Sequence, residues 1–367
     1  MAITRVSAAL VAAAPASSVD SKQWTAPTST AFARSSVEEP HAARRKAILA
    51  AHPEIRELFG PCWRTKYTVV AVVALQFAAA SFARTLPLGQ LLLLAWALGG
   101  LLTSNLFLAA HEVSHNLAFE EPRLNKVLGL VANAPIGVPF SIAFAKYHRE
   151  HHHFQGEQGV DCDLPHPTEA LLVQSAGSVG KALWMSTQLL FYALRPLIVR
   201  PKAPGFWDVV NLLTVIAVDV AVWTSPLLGP RALMYLLLSI LLGGGLHPAG
   251  AHFIAEHYMW PADAATEAAK SDLQKADDAA AGLGAAQETF SYYGPWNVVT
   301  YNVGYHNEHH DFPRIPGTRL ASVRAAAPEF YDSCRHHTSY SAVILAFVFD
   351  ARVGPFSRVV RAGKKNE

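Results

Sequence analysis

Residues 86–115 read LPLGQ LLLLA WALGG LLTSN LFLAA HEVSH. From Leu86 to Ala110 there is no charged residue, and leucine dominates. A membrane crossing takes about 20 mostly apolar residues, so this run is long enough to span. Where it ends, His111-x3-His115 begins. Residues four apart lie on one helical face, so both imidazoles point to one spot at the mouth of the span. The stretch therefore predicts a membrane helix that delivers metal ligands at its end.

Two more clusters repeat the pattern: His148-x2-His151-His152 and His306-x2-His309-His310. Zinc closes at about four ligands, and eight imidazoles exceed that. They suit two octahedral-leaning metals with open positions, and imidazole is a good ligand for iron. In a membrane-embedded chain this points to a non-haem diiron oxygenase. His153 projects roughly 100° away from His152 around a helix and stays outside the ligand set. His252 and His257 follow a membrane exit as His111 does, with Glu256 beside them. One of them supplies a further ligand, His252 in preference to His257. Ligating imidazoles usually donate their second N–H to a carboxylate or carbonyl, and Glu112, Glu150 and Glu308 are the acids nearest in sequence. His41, His52, His166, His336 and His337 are scattered and read as surface residues.

The chain has 367 residues, of which 51% are hydrophobic and only 16% charged. A soluble domain carries about 25% charged residues, so the shortfall belongs to membrane spans. Net charge is +2, and no basic stripe suggests nucleic acid. Cys62, Cys162 and Cys334 are isolated and odd in number, which indicates neither a disulfide framework nor a thiolate metal site. The Ala-rich run Val6–Ala16 lacks a firm apolar core and reads as tail rather than signal peptide.

The organisation expected is an all-α integral membrane protein with about four transmembrane helices in two hairpins and a cytosolic helical cap carrying the histidines. Residues 1–33 form a disordered tail. Residues 34–66 hold an interfacial helix with a basic side (Arg44, Arg45, Lys46) suited to an anionic membrane surface. Hairpin 1 occupies 67–110, with spans near 67–82 and 86–110. Residues 111–207 carry the first two clusters and an apolar segment, 182–200, interrupted by Arg195-Pro196 and read as interfacial or re-entrant. Hairpin 2 occupies 208–247, with spans near 209–224 and 232–246. Asp219 falls inside the first of these, as one facing a partner helix or the water interface in preference to a functional group. Residues 248–361 complete the cap, with a low-complexity insertion at 261–289 and a tail at 362–367. Cationic residues before the first span place the cluster side in the cytosol. Two hairpins return all three clusters to one side, which a shared site requires. Gly243-Gly244-Gly245 has no nucleotide-loop context and reads as a close helix contact. His247-Pro248-Ala249-Gly250 resembles a haem loop only superficially.

The surroundings of the clusters narrow the reading. His111-Glu-Val-Ser-His115-Asn-Leu-Ala-Phe, Asn133-Ala-Pro-Ile-Gly-Val-Pro-Phe-Ser, Tyr147-His-Arg-Glu-His-His-His and Gly159-Val-Asp-Cys-Asp-Leu-Pro resemble the sphingolipid Δ4-desaturases, within the membrane fatty-acid desaturase superfamily. Ala251-His-Phe-Ile-Ala-Glu-His-Tyr-Met, Ser291-Tyr-Tyr-Gly-Pro and Asn302-Val-Gly-Tyr-His-Asn-Glu-His-His-Asp-Phe-Pro do so too, as does the segment from Pro40. The likeness covers roughly residues 35–361; the Ala-rich insertion and the first thirty residues depart from it. The resemblance implies that dihydroceramide, O2, two electrons and two protons give ceramide with a trans C4–C5 double bond. It also implies two non-haem irons, electrons from NADH through a reductase and a separate cytochrome b5, and an endoplasmic reticulum membrane with the site facing the cytosol. Asn133, Asp161, Asp163 and Tyr292 are candidates for headgroup contacts. The nearest rival is C4-hydroxylation of the same substrate, or both reactions in one enzyme. A transition-metal transporter is the remote rival, and would hold its ligands near mid-membrane.

Overall fold

The computed structural model describes residues 30–261 and 287–363. Helices dominate. They are α1 (Pro40–Ala51), α2 (Trp63–Ala83), α3 (Leu88–Ser114, with a π-helical turn at Ala95–Gly99), α4 (Pro122–Asn133), α5 (Ser141–His153), α6 (Pro167–Ser175) and α7 (Gly177–Ser186). After them come α8 (Gln188–Val199), α9 (Phe206–Thr224), α10 (Gly229–Gly243), α11 (His252–Ala255), α12 (His306–Asp311), α13 (Gly317–Ala326) and α14 (Tyr340–Phe349). The all-α expectation needs one correction. Two short parallel ladders join distant segments: Ala33–Ser35 with Val359–Arg361, and Ser291–Tyr292 with His336–His337.

Among the described residues, three helices are long and apolar enough to cross a membrane: α2, α3 and α9. The expected crossing at 232–246 is different in form. Helix α10 has 15 residues and reaches spanning length only with Pro248–Ala255, across a 48° bend. The Gly243–Gly245 run ends the helix there and lets it approach α3: a Cβ on Gly243 would sit 2.5 Å from Gly100 Cα. The apolar segment 182–200 is not one straight helix, because α7 and α8 meet at an 80° bend. Its awkward charge is neutralised inside the protein: Arg195 donates to both carboxylate oxygens of Glu169, at 2.7 and 2.9 Å.

The tail at 1–33 lies mostly outside the described residues, but Ala33 is a buried strand residue and Phe32 packs on Phe356. The insertion at 261–289 likewise lies mostly outside them, yet Gln287, Glu288 and Thr289 are buried. Of the 362–367 tail, 364–367 lie outside. Helix α1 is not simply laid on a surface. Ile48, with Ile55 just beyond the helix, packs against Phe312, Ile315 and Leu320, and Arg44 turns inward while Arg45 and Lys46 stay exposed. Helix α14 is a short apolar element within the cap. Phe347 and Tyr340 pack with Trp184 and Tyr258, and buried Lys181 donates to the carbonyls of Phe347, Asp350 and Val353 at its C-terminal end, where a cation also meets the helix dipole favourably.

Candidate metal centre

Helix α3 carries His111 in its last turn and His115 at its C-cap, α5 carries the second cluster, and the short α12 carries the third. They converge into two adjoining groups. His111, His115, His148, His152 and His309 each place a ring nitrogen within 4.8 Å of the others. His151, His257 and His310 form a second group on the same criterion, and His306 Nε2 lies 2.8 Å from His257 Nε2. The rings of His152 and His310 stack at 4.1 Å, so the groups share a wall.

Helical spacing sorts the imidazoles. In each box the residues four apart go together: His111 with His115, His148 with His152, His306 with His310. The residue three along, His151 or His309, crosses to the other group. Between His252 and His257 the structure reverses the preference drawn from sequence. His257 sits at the centre of the second group, with Nε2 3.0 Å from His151 and 3.1 Å from His310. His252 belongs to neither group, and its Nδ1 faces Glu256 Oε1 at 3.5 Å. The helix ends at Ala255, so a turn rather than helical phase decides which imidazole arrives. His153 is exposed and belongs to neither group.

The nitrogen crowding fits bound cations. His148 Nε2 lies 2.9 Å from His115 Nε2 and 3.0 Å from His152 Nε2, which in turn is 3.1 Å from His309 Nε2. A neutral imidazole carries one N–H, so these contacts cannot all be hydrogen bonds; several lone pairs converge. His111 Nε2 has no hydrogen-bond partner although buried. Burial keeps most of the rings neutral: it holds His115 down to about 3 and His306 to about 4, and pushes His148, His152, His257, His309 and His310 well below the ordinary value. His151 is the exception. Burial opposes its charge, but Asp161 outweighs it and raises the imidazole. In the neutral ring the same carboxylate accepts from His151 Nδ1 at 3.0 Å, which leaves Nε2 as the lone pair facing His257.

The supporting carboxylates are not the expected ones. Glu150 pairs with Arg200 and Lys202. Glu308 accepts from Ser291 and Tyr293, and Glu112 from the Gly317 amide. Asp161 does face a box imidazole, and Glu256 lies 3.6 Å from His306 Nδ1. The proposed headgroup contacts are also engaged elsewhere. Asn133 ties Val138 and Phe140 backbone, Asp163 pairs with Arg358 at 2.6 Å, and Tyr292 stacks on Tyr340 at 3.7 Å. His41 is buried rather than superficial. Its Nδ1 is 2.7 Å from Asp311 Oδ1 and its Nε2 2.9 Å from Thr289, while Arg44 Nε donates to Asp311 Oδ2 at 2.7 Å. The N-terminal helix is thereby locked onto the third box. His247 is buried beside Trp96 and caps the Ala249 amide. Asp219 makes no ion pair among the described residues and belongs to neither histidine group. All three cysteines are free and buried.

A fatty acid desaturase family model matches residues 87–341, and a sphingolipid Δ4-desaturase model matches residues 28–64. A sphingolipid Δ4-desaturase DES1-like protein of Oryza sativa subsp. japonica is 47% identical over 338 residues, covering 92% of this chain and 95% of its own length. The chain belongs to the sphingolipid Δ4-desaturase family. The Drosophila melanogaster sphingolipid Δ4-desaturase DES1 is 44% identical over 88% of this chain and 93% of its own. A human Δ4-desaturase/C4-monooxygenase, DES2, is 42% identical over the same shares. The N-terminal segment typical of the family is the one carrying His41 and Arg44, the residues that clamp α12. As a family member the chain is a membrane desaturase, an oxidoreductase.

Proposed function

We propose that this chain converts dihydroceramide to ceramide by removing two hydrogens across C4–C5 of the sphingoid chain, using O2, two electrons and two protons and releasing two waters. The observation that carries the reading is the convergence of three histidine boxes into two adjoining groups, within a chain whose relatives are named sphingolipid Δ4-desaturases. His111, His115, His148, His152 and His309 hold one iron; His151, His257, His306 and His310 hold the other. Bound iron supplies the oxidising power for an aliphatic C–H bond, which side-chain acids and bases cannot attack.

The chain's own groups prepare and guard that chemistry. Burial keeps most of the imidazoles neutral, and therefore able to ligate. Asp161 fixes the His151 tautomer, and the Asp311–His41–Arg44 cluster fixes the helix that carries His306, His309 and His310. Four crossings in two hairpins put every box on the cytosolic side of the endoplasmic reticulum membrane, where NADH, a reductase and cytochrome b5 deliver electrons. The ligands gather at the end of a span rather than along its middle, which disfavours transport.

A second reading, C4-hydroxylation alongside desaturation, draws on the human relative whose name joins the two activities. The test is mass spectrometry of products from membranes holding the full chain, dihydroceramide, NADH and cytochrome b5. Loss of two hydrogens supports desaturation. Gain of one oxygen alone makes the chain a hydroxylase, and no oxidised product removes the proposal.

A further inference from the structure

At one end of the helical bundle, where α3 finishes and α9 begins, lies a half-open cavity of about 160 Å³. Lys126, Lys146 and Arg149 line it, against a single carboxylate, Asp208. Lys146 pairs with Asp208, and Lys126 sits 5.5 Å from the Trp207 ring centroid. Arg149 has no carboxylate partner among the described residues. Ser141, another lining residue, is only 4% exposed, and its Oγ has no hydrogen-bond partner. The cavity thus gathers three cations against one carboxylate, and a buried hydroxyl that bonds to nothing within the protein. A phosphate oxygen would satisfy both, since hydrogen bonds to ionised groups are the strong ones.

The surroundings decide the source of that phosphate. The cavity opens where the α9 span starts, at Phe206 and Trp207, and tryptophan is enriched at the membrane–water boundary. Leu124 and Val127 on α4, with Val209 on α9, are exposed and apolar beside it, a surface that acyl chains would cover. We propose that this cavity binds the phosphate of an anionic phospholipid, whose chains lie along the exposed faces of α4 and α9. Free phosphate shares the headgroup chemistry but makes no use of those faces. The inference rests on reading α9 as a membrane span, not on the reaction catalysed.

The test is native mass spectrometry of the full-length protein titrated with phosphatidylserine, phosphatidylcholine or inorganic phosphate. The wild type should retain one phosphatidylserine in preference to phosphatidylcholine. Lys126→Gln with Arg149→Gln should weaken retention at least about tenfold. Ser141→Ala, which leaves every charge in place, should weaken it about threefold. Unchanged retention in both variants overturns the proposal. So does displacement of the lipid by millimolar phosphate, which would make this an inorganic anion site. Unchanged lipid retention with slower reduction by cytochrome b5 would assign the basic rim to the electron donor and likewise overturn it. Lipid retention is read without turnover, so its failure is separable from a failure of ceramide formation.

Discussion

Replacing Asp161 with asparagine should loosen iron without dismantling the fold. Asp161 accepts from His151 Nδ1 at 3.0 Å, from the Gly156 amide at 2.7 Å and from the Asp163 amide at 2.9 Å. Asparagine keeps the shape and one acceptor oxygen but loses the charge that orients His151. Carboxylates behind metal-bound imidazoles are worth about 10- to 100-fold in metal affinity, or about 1.4–2.7 kcal/mol. Asp161→Asn should therefore need about that much more iron to reach half-occupancy in a chelator competition, with ceramide formation falling in step. Glu150→Gln is the contrast. Glu150 pairs with Arg200 and Lys202 rather than an imidazole, so its iron affinity should stay within about twofold, as for surface ion pairs of little worth. Equal iron loss in the two variants, or no loss in Asp161→Asn, would refute the reasoning.

Other outcomes follow from the same geometry. His257→Ala should remove an iron and abolish product, while His252→Ala should keep most of both; metal analysis beside a product assay distinguishes them, and the reverse order would restore the preference read from sequence. Arg44→Met leaves Asp311 and His41 buried without their cation, and breaking a buried pair in this way costs about 3–5 kcal/mol, visible as a lower thermal midpoint in detergent. Asp163 is held below the usual carboxylate range, because Arg358 at 2.6 Å outweighs the burial that opposes its charge. Its contribution is complete above the ordinary value of about 3.9 and is lost as pH falls toward the depressed one. Arg358→Met should hence move acid unfolding to higher pH, followed by tryptophan fluorescence.

Much of the centre is written in local spacing. His-x3-His and His-x2-His-His put imidazoles on one face whatever the tertiary fold, and a long charge-free run such as Leu86–Ala110 announces a membrane span by composition alone. What escaped depends on distant contacts. The arrival of His257 is set by a turn after Ala255. Asp161 reaches His151 because the chain doubles back between Phe154 and Asp161, with the Glu157 amide bonded to the Phe154 carbonyl and the Asp161 amide to that of Glu157. His41 is buried only because α12, some 270 positions away, presents Asp311 to it. Acids adjacent to the boxes were expected to support the metals, but neighbours in sequence point elsewhere on a helix, and Glu112, Glu150 and Glu308 found other donors. Helix α14 has apolar residues nearly all round, so its period gave no face to read.

The most direct test is the iron content of the purified full-length chain, measured by plasma mass spectrometry against amino-acid analysis. Two imidazole groups sharing the wall of His152 and His310 predict close to two irons per chain, with His257→Ala and His115→Ala each losing metal. A fully active enzyme holding a single metal, or none, would contradict the account.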